Sequence, residues 1–296
     1  MLSNEAWGLL VRDGGLRRGG AAGDRQGEIM LEFEGRAALV TGGGSGIGRE
    51  TCLALAARGA FVWVTDYDRA SAEATVDLIG RAGGRARALR LDVALEAEWE
   101  AALALTDDHA DGLRILVNCA GKSIIAETFA MPVEDLRRIL SINVEGTFLG
   151  MKHGIPRIAR SGGGAVVNMS SALAMKGVAR MAAYCGSKAA IEMMTKAVAL
   201  ECAELRNGVR VNSVHPGIVD TPAWHKHGPD EVGALSDTLS EGASVLSADE
   251  VARKVVPIGV ACSAGEIAQT ICFLASDAAR HITGAGIVID GGMTAG

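Results

Sequence analysis

From Arg36 onward the chain alternates short apolar runs with longer stretches of helical character. Seven runs read as strands: Ala37 to Val40, Phe61 to Thr65, Ala86 to Leu91, Ile115 to Asn118, Ala165 to Met169, Val209 to Val214 and Ile287 to Ile289. Continuous apolar runs bounded by Gly, Asp or Asn fit strands covered on both faces, and their alternation with helices predicts right-handed crossovers. The expected fold class is α/β, one doubly wound parallel sheet of about seven strands with helices on both faces. Two longer segments, Leu140 to Ile158 and Tyr184 to Leu205, read as helices. Their apolar residues, including Ile191, Met193, Met194, Val198 and Leu200, cover more than one face.

Residues 1–32 lack this periodicity. They are rich in glycine and arginine, broken at Gly14-Gly15 and Gly19-Gly20, and have no continuous apolar core of a secretory signal. We read them as a mostly disordered extension ahead of a single catalytic domain, 33–296. Glu5, Asp13, Asp24 and Glu28 argue against an organelle-targeting peptide. Removal of residues 1–29, ahead of Met30, is expected to leave activity intact.

The first strand breaks into Gly42-Gly43-Gly44-Ser45-Gly46-Ile47-Gly48, and a helical stretch from Arg49 to Arg58 follows. Strand, glycine turn and helix in that order form a phosphate cradle: glycines permit close backbone approach, and the helix N-terminus supplies amide donors. The second strand ends in Asp66, eighteen residues beyond Gly48. A carboxylate there accepts both ribose hydroxyls of an adenosine and repels a 2′-phosphate, which predicts NAD over NADP. Arg49 and Arg69 are the basic residues near enough in sequence to oppose that preference. Gly42, Asp66, Asp92, Asn118, Ser171 and Pro216 all fall just after strands, at the sheet edge where ligands bind in a Rossmann-type fold.

Tyr184 and Lys188 stand four residues apart, and Ser171 precedes the tyrosine by thirteen. On a helix this spacing places both side chains on one face, so the ammonium is expected to lower the phenol pKa. The chain has only two tyrosines, Tyr67 and Tyr184.

The formal net charge of −6 disfavours nonspecific nucleic-acid binding. No span approaches the length of apolar residues a membrane helix needs. The six cysteines are dispersed without a C-x-x-C, as in a reduced, cytoplasmic protein. His225 and His227 have no partners spaced to complete a metal site, so none is expected.

From about Phe33 to the C-terminus the sequence resembles the short-chain dehydrogenase/reductase family in its compact single-domain form. Thr41 to Gly48 matches the cofactor loop, Leu91-Asp92-Val93 the segment at the adenine, and Asn118-Cys119-Ala120-Gly121 the family's Asn-Asn-Ala-Gly motif. Asn143, Ser171, Tyr184 and Lys188 match its catalytic tetrad. Asn212 to Pro222 resembles the Pro-Gly segment that embraces the nicotinamide, with Pro216, Gly217, Val219 and Thr221 as contacts; Ile289-Asp290-Gly291-Gly292 is also typical. Cys119 departs from the family's asparagine, and Val260, Cys262 and Ala264 stand where it usually has Arg, Gly and Pro.

The resemblance implies reversible hydride transfer between a nicotinamide and a secondary alcohol or ketone. Tyr184 would exchange the proton and Ser171 bind the substrate oxygen. Lys188 would hold the ribose and lower the tyrosine pKa, and Asn143 would hold a water leading to solvent. It also implies a mobile substrate segment, 221–256, and a homotetramer or homodimer through the two long helices. Ala172, Leu173, Met175, Val178 and Trp224 suggest an apolar pocket for a small alicyclic or steroid-like alcohol. Two alternatives compete: an NADPH-dependent 3-oxoacyl-thioester reductase, against which Asp66 argues, and a redox-inactive nucleotide-sensing or scaffold protein.

Overall fold

The computed structural model describes residues 32–107, 109–110, 112–221 and 247–296. The expected extension (but for Glu32) and most of segment 221–256, including Trp224, His225 and His227, lie outside them.

All seven anticipated strands form one parallel sheet. They are β1 (Ala37–Thr41), β2 (Phe61–Asp66), β3 (Arg85–Arg90), β4 (Leu113–Asn118), β5 (Gly164–Met169), β6 (Val209–Pro216) and, last in the chain, β9 (Gly286–Ile289). Their spatial order is β3-β2-β1-β4-β5-β6-β9. Two further strands of two residues each, β7 (Val219–Asp220) and β8 (Cys262–Ser263), pair in parallel beyond the end of β6.

The helices are α1 (Gly46–Ala57), α2 (Arg69–Arg81), α3 (Glu96–Asp107), α4 (Val133–Leu140), α5 (Gly146–Arg160), α6 (Ala182–Glu204), α7 (Ala248–Val255) and α8 (Ala264–Ala275). Strand alternation divides the core in two. Ala38, Val40, Val62, Val64, Ile115, Val117 and Val167 face one side, where they pack with Cys52 and Leu55 of α1 and Ile267 and Ile271 of α8. Leu39, Trp63, Leu116 and Val166 face the other, with Trp99 and Leu103 of α3 and Leu149 of α5. Burying each large aliphatic side chain contributes about 1.5–3 kcal/mol, so the continuous runs hold the sheet from both faces.

Strand order reverses at β1, whose neighbours are β2 and β4. The chain leaving β1 and the chain leaving β4 therefore diverge, and a cleft opens at their carboxyl ends. The expected helix Leu140–Ile158 is interrupted: Ser141–Glu145 forms a π-helical turn between α4 and α5. Such a turn inserts a wider ring into the ladder without a propensity signature, and often marks a functional site.

Candidate active site

The β1–α1 loop needs glycines for stated reasons. Gly42 has φ +65°, and a Cβ there would meet the Ala120 backbone at 3.0 Å. A Cβ on Gly48 would lie 2.1 Å from the Gly42 carbonyl oxygen, so the loop can turn into α1 only without a side chain. Ser45, the N-cap of α1, makes no side-chain cap bond, so the first amides of the helix, Gly46, Ile47 and Gly48, have no capping oxygen from it. Backbone donors uncapped in this way suit a diphosphate.

Asp66 closes the loop at the β2 end. Its Oδ2 accepts from the Gly44 amide at 3.0 Å and its Oδ1 from the Asp68 amide at 3.0 Å. The two nearby arginines have protein partners, Arg49 within the same loop. Arg49 donates to Thr75 Oγ1 at 3.1 Å and to the Gly44 carbonyl, while Arg69 pairs with Glu73 at 2.8 Å. The β3 exit carries Asp92, whose Oδ1 accepts from the Ala94 amide at 3.1 Å, and the buried Val93.

Thr41 joins the two diverging loops, a role its place in the motif did not reveal. Its Oγ1 accepts from the amides of Cys119 and Ala120, both at 3.0 Å. Cys119 thus keeps the main-chain turn of its motif; burial pushes its thiol up to about 12, opposed by the Lys188 ammonium. Asn118 lies below, its Nδ2 donating to Asn168 Oδ1 at 2.9 Å.

Ser171 caps a short 3₁₀ turn, Ala172–Ala174, just beyond β5, and its Oγ accepts from the Leu173 amide at 3.1 Å. Tyr184, half-buried in the first turn of α6, has the Ser171 hydroxyl near enough to lower its pKa. Lys188 lies on the buried stripe of α6 formed by Ala183, Ser187, Lys188, Ile191, Thr195, Ala199 and Cys202. It is 3% exposed, its Nζ donates to the Met169 carbonyl at 2.8 Å, and it sits 5.7 Å from the Tyr184 ring centre.

The electrostatic expectation for this pair is corrected. Burial raises the Tyr184 pKa above its ordinary value, and the group opposing that rise is the Ser171 hydroxyl, not the ammonium. Desolvation likewise lowers Lys188 to about 8. Helical spacing reported the separation of the two groups but not how far both are withdrawn from water.

Asn143, fully buried in the π-helical turn, completes the set. Its Nδ2 donates to the Lys122 carbonyl at 2.9 Å and to Ser187 Oγ at 3.0 Å, and its Oδ1 accepts from the Lys122 amide at 2.8 Å. A Cβ on Gly121 would lie 3.3 Å from both Asn143 Oδ1 and Lys188 Nζ, so Gly121 lets the β4 loop pass over them. Both side-chain amide atoms are thus engaged by Lys122 and Ser187.

On the far side, Gly217 donates to the Ile289 carbonyl at 3.0 Å, and a Cβ there would strike the Asp290 backbone at 2.9 Å. Pro216 ends β6 and Val219 pairs with Cys262, so Val219 and Thr221 follow a turn tied to the departing segment 257–264. Burial pushes the Asp290 carboxyl up, but the Thr294 hydroxyl and the amides of Gly292, Thr294 and Met293 bring it below its ordinary value. The Ala126 amide donates to the Arg180 carbonyl at 2.9 Å, and the preceding Ile124 and Ile125 are partly buried.

A glycine cradle at the reversal point of a parallel sheet, with a withdrawn Tyr–Lys pair beside it, defines a nucleotide-dependent α/β oxidoreductase. Residues 42–294 match the family described as enoyl-(acyl carrier protein) reductase. The chain is 36% identical over 262 residues to a 2,5-dichloro-2,5-cyclohexadiene-1,4-diol dehydrogenase of Sphingobium indicum, covering 88% of this chain and 97% of that one. It is 35% identical to a cyclohexanol dehydrogenase of an Acinetobacter species, covering 89% and 96%. A short-chain type dehydrogenase/reductase from Mycobacterium marinum superposes with a TM-score of 0.78 at 30% identity, covering 90% of this chain and 98% of that one. The chain belongs to the short-chain dehydrogenase/reductase family. It is an oxidoreductase acting on CH–OH groups with a nicotinamide cofactor.

Proposed function

We propose that the protein is an NAD-dependent dehydrogenase of small ring-bearing secondary alcohols, acting reversibly on the corresponding ketones within a single catalytic domain, 33–296. The neighbouring Ser171 and Tyr184 side chains, beside the buried Lys188, carry this reading. Both named relatives act on hydroxyl groups of six-membered carbon rings. Leu173, Met175 and Val178 offer such a ring an apolar surface, while Ala172 is fully buried beneath them in the 3₁₀ turn.

When bound, the nicotinamide supplies the hydride acceptor for oxidation and the donor for reduction. The rest belongs to this chain. In oxidation Tyr184 accepts the hydroxyl proton of the alcohol, and the Ser171 hydroxyl holds the substrate oxygen as its charge develops. Burial makes the bare phenolate costly, and the Ser171 hydroxyl opposes that cost. Lys188 holds the nicotinamide ribose. Asn143 is a positioning residue, binding Ser187 and the Lys122 backbone so that the α6 turn carrying Lys188 stays in register.

The cofactor-binding set is Gly42, Ser45, Gly46, Ile47, Gly48, Asp66, Asp92, Val93, Asn118, Ala120, Gly121, Pro216, Gly217, Val219 and Thr221, with Tyr184 and Lys188 at the nicotinamide end. Asp66 selects NAD, supported by the engagement of Arg49 and Arg69 with loop and helix partners. The same carboxylate argues against the NADPH-dependent thioester reductase.

Tyr184→Phe should abolish nearly all cyclohexanol oxidation while NADH fluorescence titration still reports binding; retention of a large share of wild-type kcat overturns the assignment. Asp66→Ala should lower the kcat/KM ratio of NAD over NADP at least about tenfold, the equivalent of roughly 1.4 kcal/mol of discrimination. A wild-type enzyme that already prefers NADPH would refute the role of Asp66.

A further inference from the structure

His215 lies near the end of β6, 1% exposed, and takes no part in the chemistry above. Its Nδ1 is 3.2 Å from the Ser171 main-chain carbonyl and its Nε2 is 2.8 Å from Ser213 Oγ. A carbonyl oxygen can only accept, so Nδ1 carries the proton. Nε2 is then the acceptor of a neutral imidazole, and the Ser213 hydroxyl donates to it. The ring is held closely: a Cβ on Gly286 of the neighbouring β9 would come within 2.7 Å of Nε2.

Ser171 is two residues past the end of β5, where the sheet ladder no longer dictates its orientation. Its carbonyl accepts from the Ala174 amide at 2.9 Å, within its own turn. The imidazole is a second donor to that oxygen and comes from a different element. The preceding residue is also tied down, with the Ser170 amide donating to the Val214 carbonyl at 2.9 Å and its hydroxyl to the Lys188 carbonyl at 2.9 Å.

We propose that His215 is a positioning residue for Ser171, fixing the plane of the serine's carbonyl so that its hydroxyl meets the Tyr184 phenol. The proposal rests on the reading of Ser171 and Tyr184 given above. The required feature is a donor at the Nδ1 position. Asparagine places its amide nitrogen close to that point, glutamine reaches toward Nε2 instead, and leucine fills the volume with no donor.

His215→Leu and His215→Gln should lower kcat on cyclohexanol roughly ten- to hundredfold, the scale of a small misplacement of a reacting group. NADH affinity should stay unchanged in both. His215→Asn should recover most of the loss, which a general packing defect would not allow. A second measurement needs no substrate. With tyrosine isotopically labelled on the ring, NMR resolves the titrations of Tyr184 and the exposed Tyr67 separately.

Because the Ser171 hydroxyl draws the Tyr184 pKa down, the Tyr184 midpoint should rise in Ser171→Ala and His215→Leu and return in His215→Asn. Tyr67 should not move. If Ser171→Ala lifts the Tyr184 midpoint and stops turnover but His215→Leu does neither, positioning by His215 is refuted while the active-site reading stands. An asparagine variant no better than leucine also refutes it. If Ser171→Ala itself changes neither turnover nor the Tyr184 midpoint, both fall.

Discussion

Lys188 brings its ammonium to a carbonyl, that of Met169, with no ion-paired carboxylate among the described residues. Its folded-state value of about 8 against an ordinary 10.5 has a stability consequence of definite sign. Between those two values the unfolded lysine binds more protons than the folded one, so native stability rises with pH through that window and is lowest below it. Tyr184, raised above its ordinary 10.0, stays protonated in both states across most of the same window and does not cancel the effect. In Lys188→Met the dependence should vanish. Wild type should gain roughly 2 kcal/mol over the variant as pH climbs about one and a half units above the folded value. Urea unfolding at neutral and alkaline pH measures it, and parallel curves for the two proteins would contradict it. The identities of Ser171, Tyr184 and Lys188 were readable from spacing, but the direction of the tyrosine shift was not. A Coulomb attraction follows from an i, i+4 pair, whereas burial depends on every element that closes over it.

Among the elements, the π-helical turn at Ser141–Glu145 and the loop around Cys262 were the least legible. A widened turn uses ordinary helix residues, so nothing in Ser-Ile-Asn-Val-Glu announces it. At the second place the signal was present. Ser263 and Glu266 form a capping box in which the serine accepts from the Glu266 amide at 3.2 Å and the glutamate from the Ser263 amide at 2.8 Å. The departing residues Cys262 and Ala264 thus flank a helix start, and Cys262 pairs with Val219. Ser247 and Glu250 repeat the device at α7. Ser263→Ala should cost about 1 kcal/mol in a denaturation experiment. Because α8 packs on α1 through Ile267 and Ile271, the loss should appear in global unfolding. An unchanged midpoint would show that the box does not stabilise α8.

At the scale of the whole molecule, the sheet brings residues from Gly42 to Thr221 to one edge, and two outer helices leave apolar surface uncovered. On α6, Met193 is 63% and Leu200 69% exposed, and Phe148 on α5 is also exposed. Met193 and Leu200 are seven residues apart and share one face. We propose that a second copy of the chain covers this face in a homodimer or homotetramer. Light scattering should give a multiple of 30.5 kDa, and Leu200→Glu should lower the mass. A wild-type monomer at working concentration would disprove the assembly.

The sequence by itself determined the seven strands, the glycine cradle and the residue types of the site, because each rests on local periodicity or on a turn chemistry only certain residues permit. The tertiary structure decided which loops share the cleft, through Thr41 and the reversal of strand order at β1. It also decided how deeply the tyrosine and lysine are withdrawn from water, and that His215 comes to Ser171 from another strand. Those properties depend on contacts between segments far apart in the chain, and no local pattern encodes the distance that separates them in space.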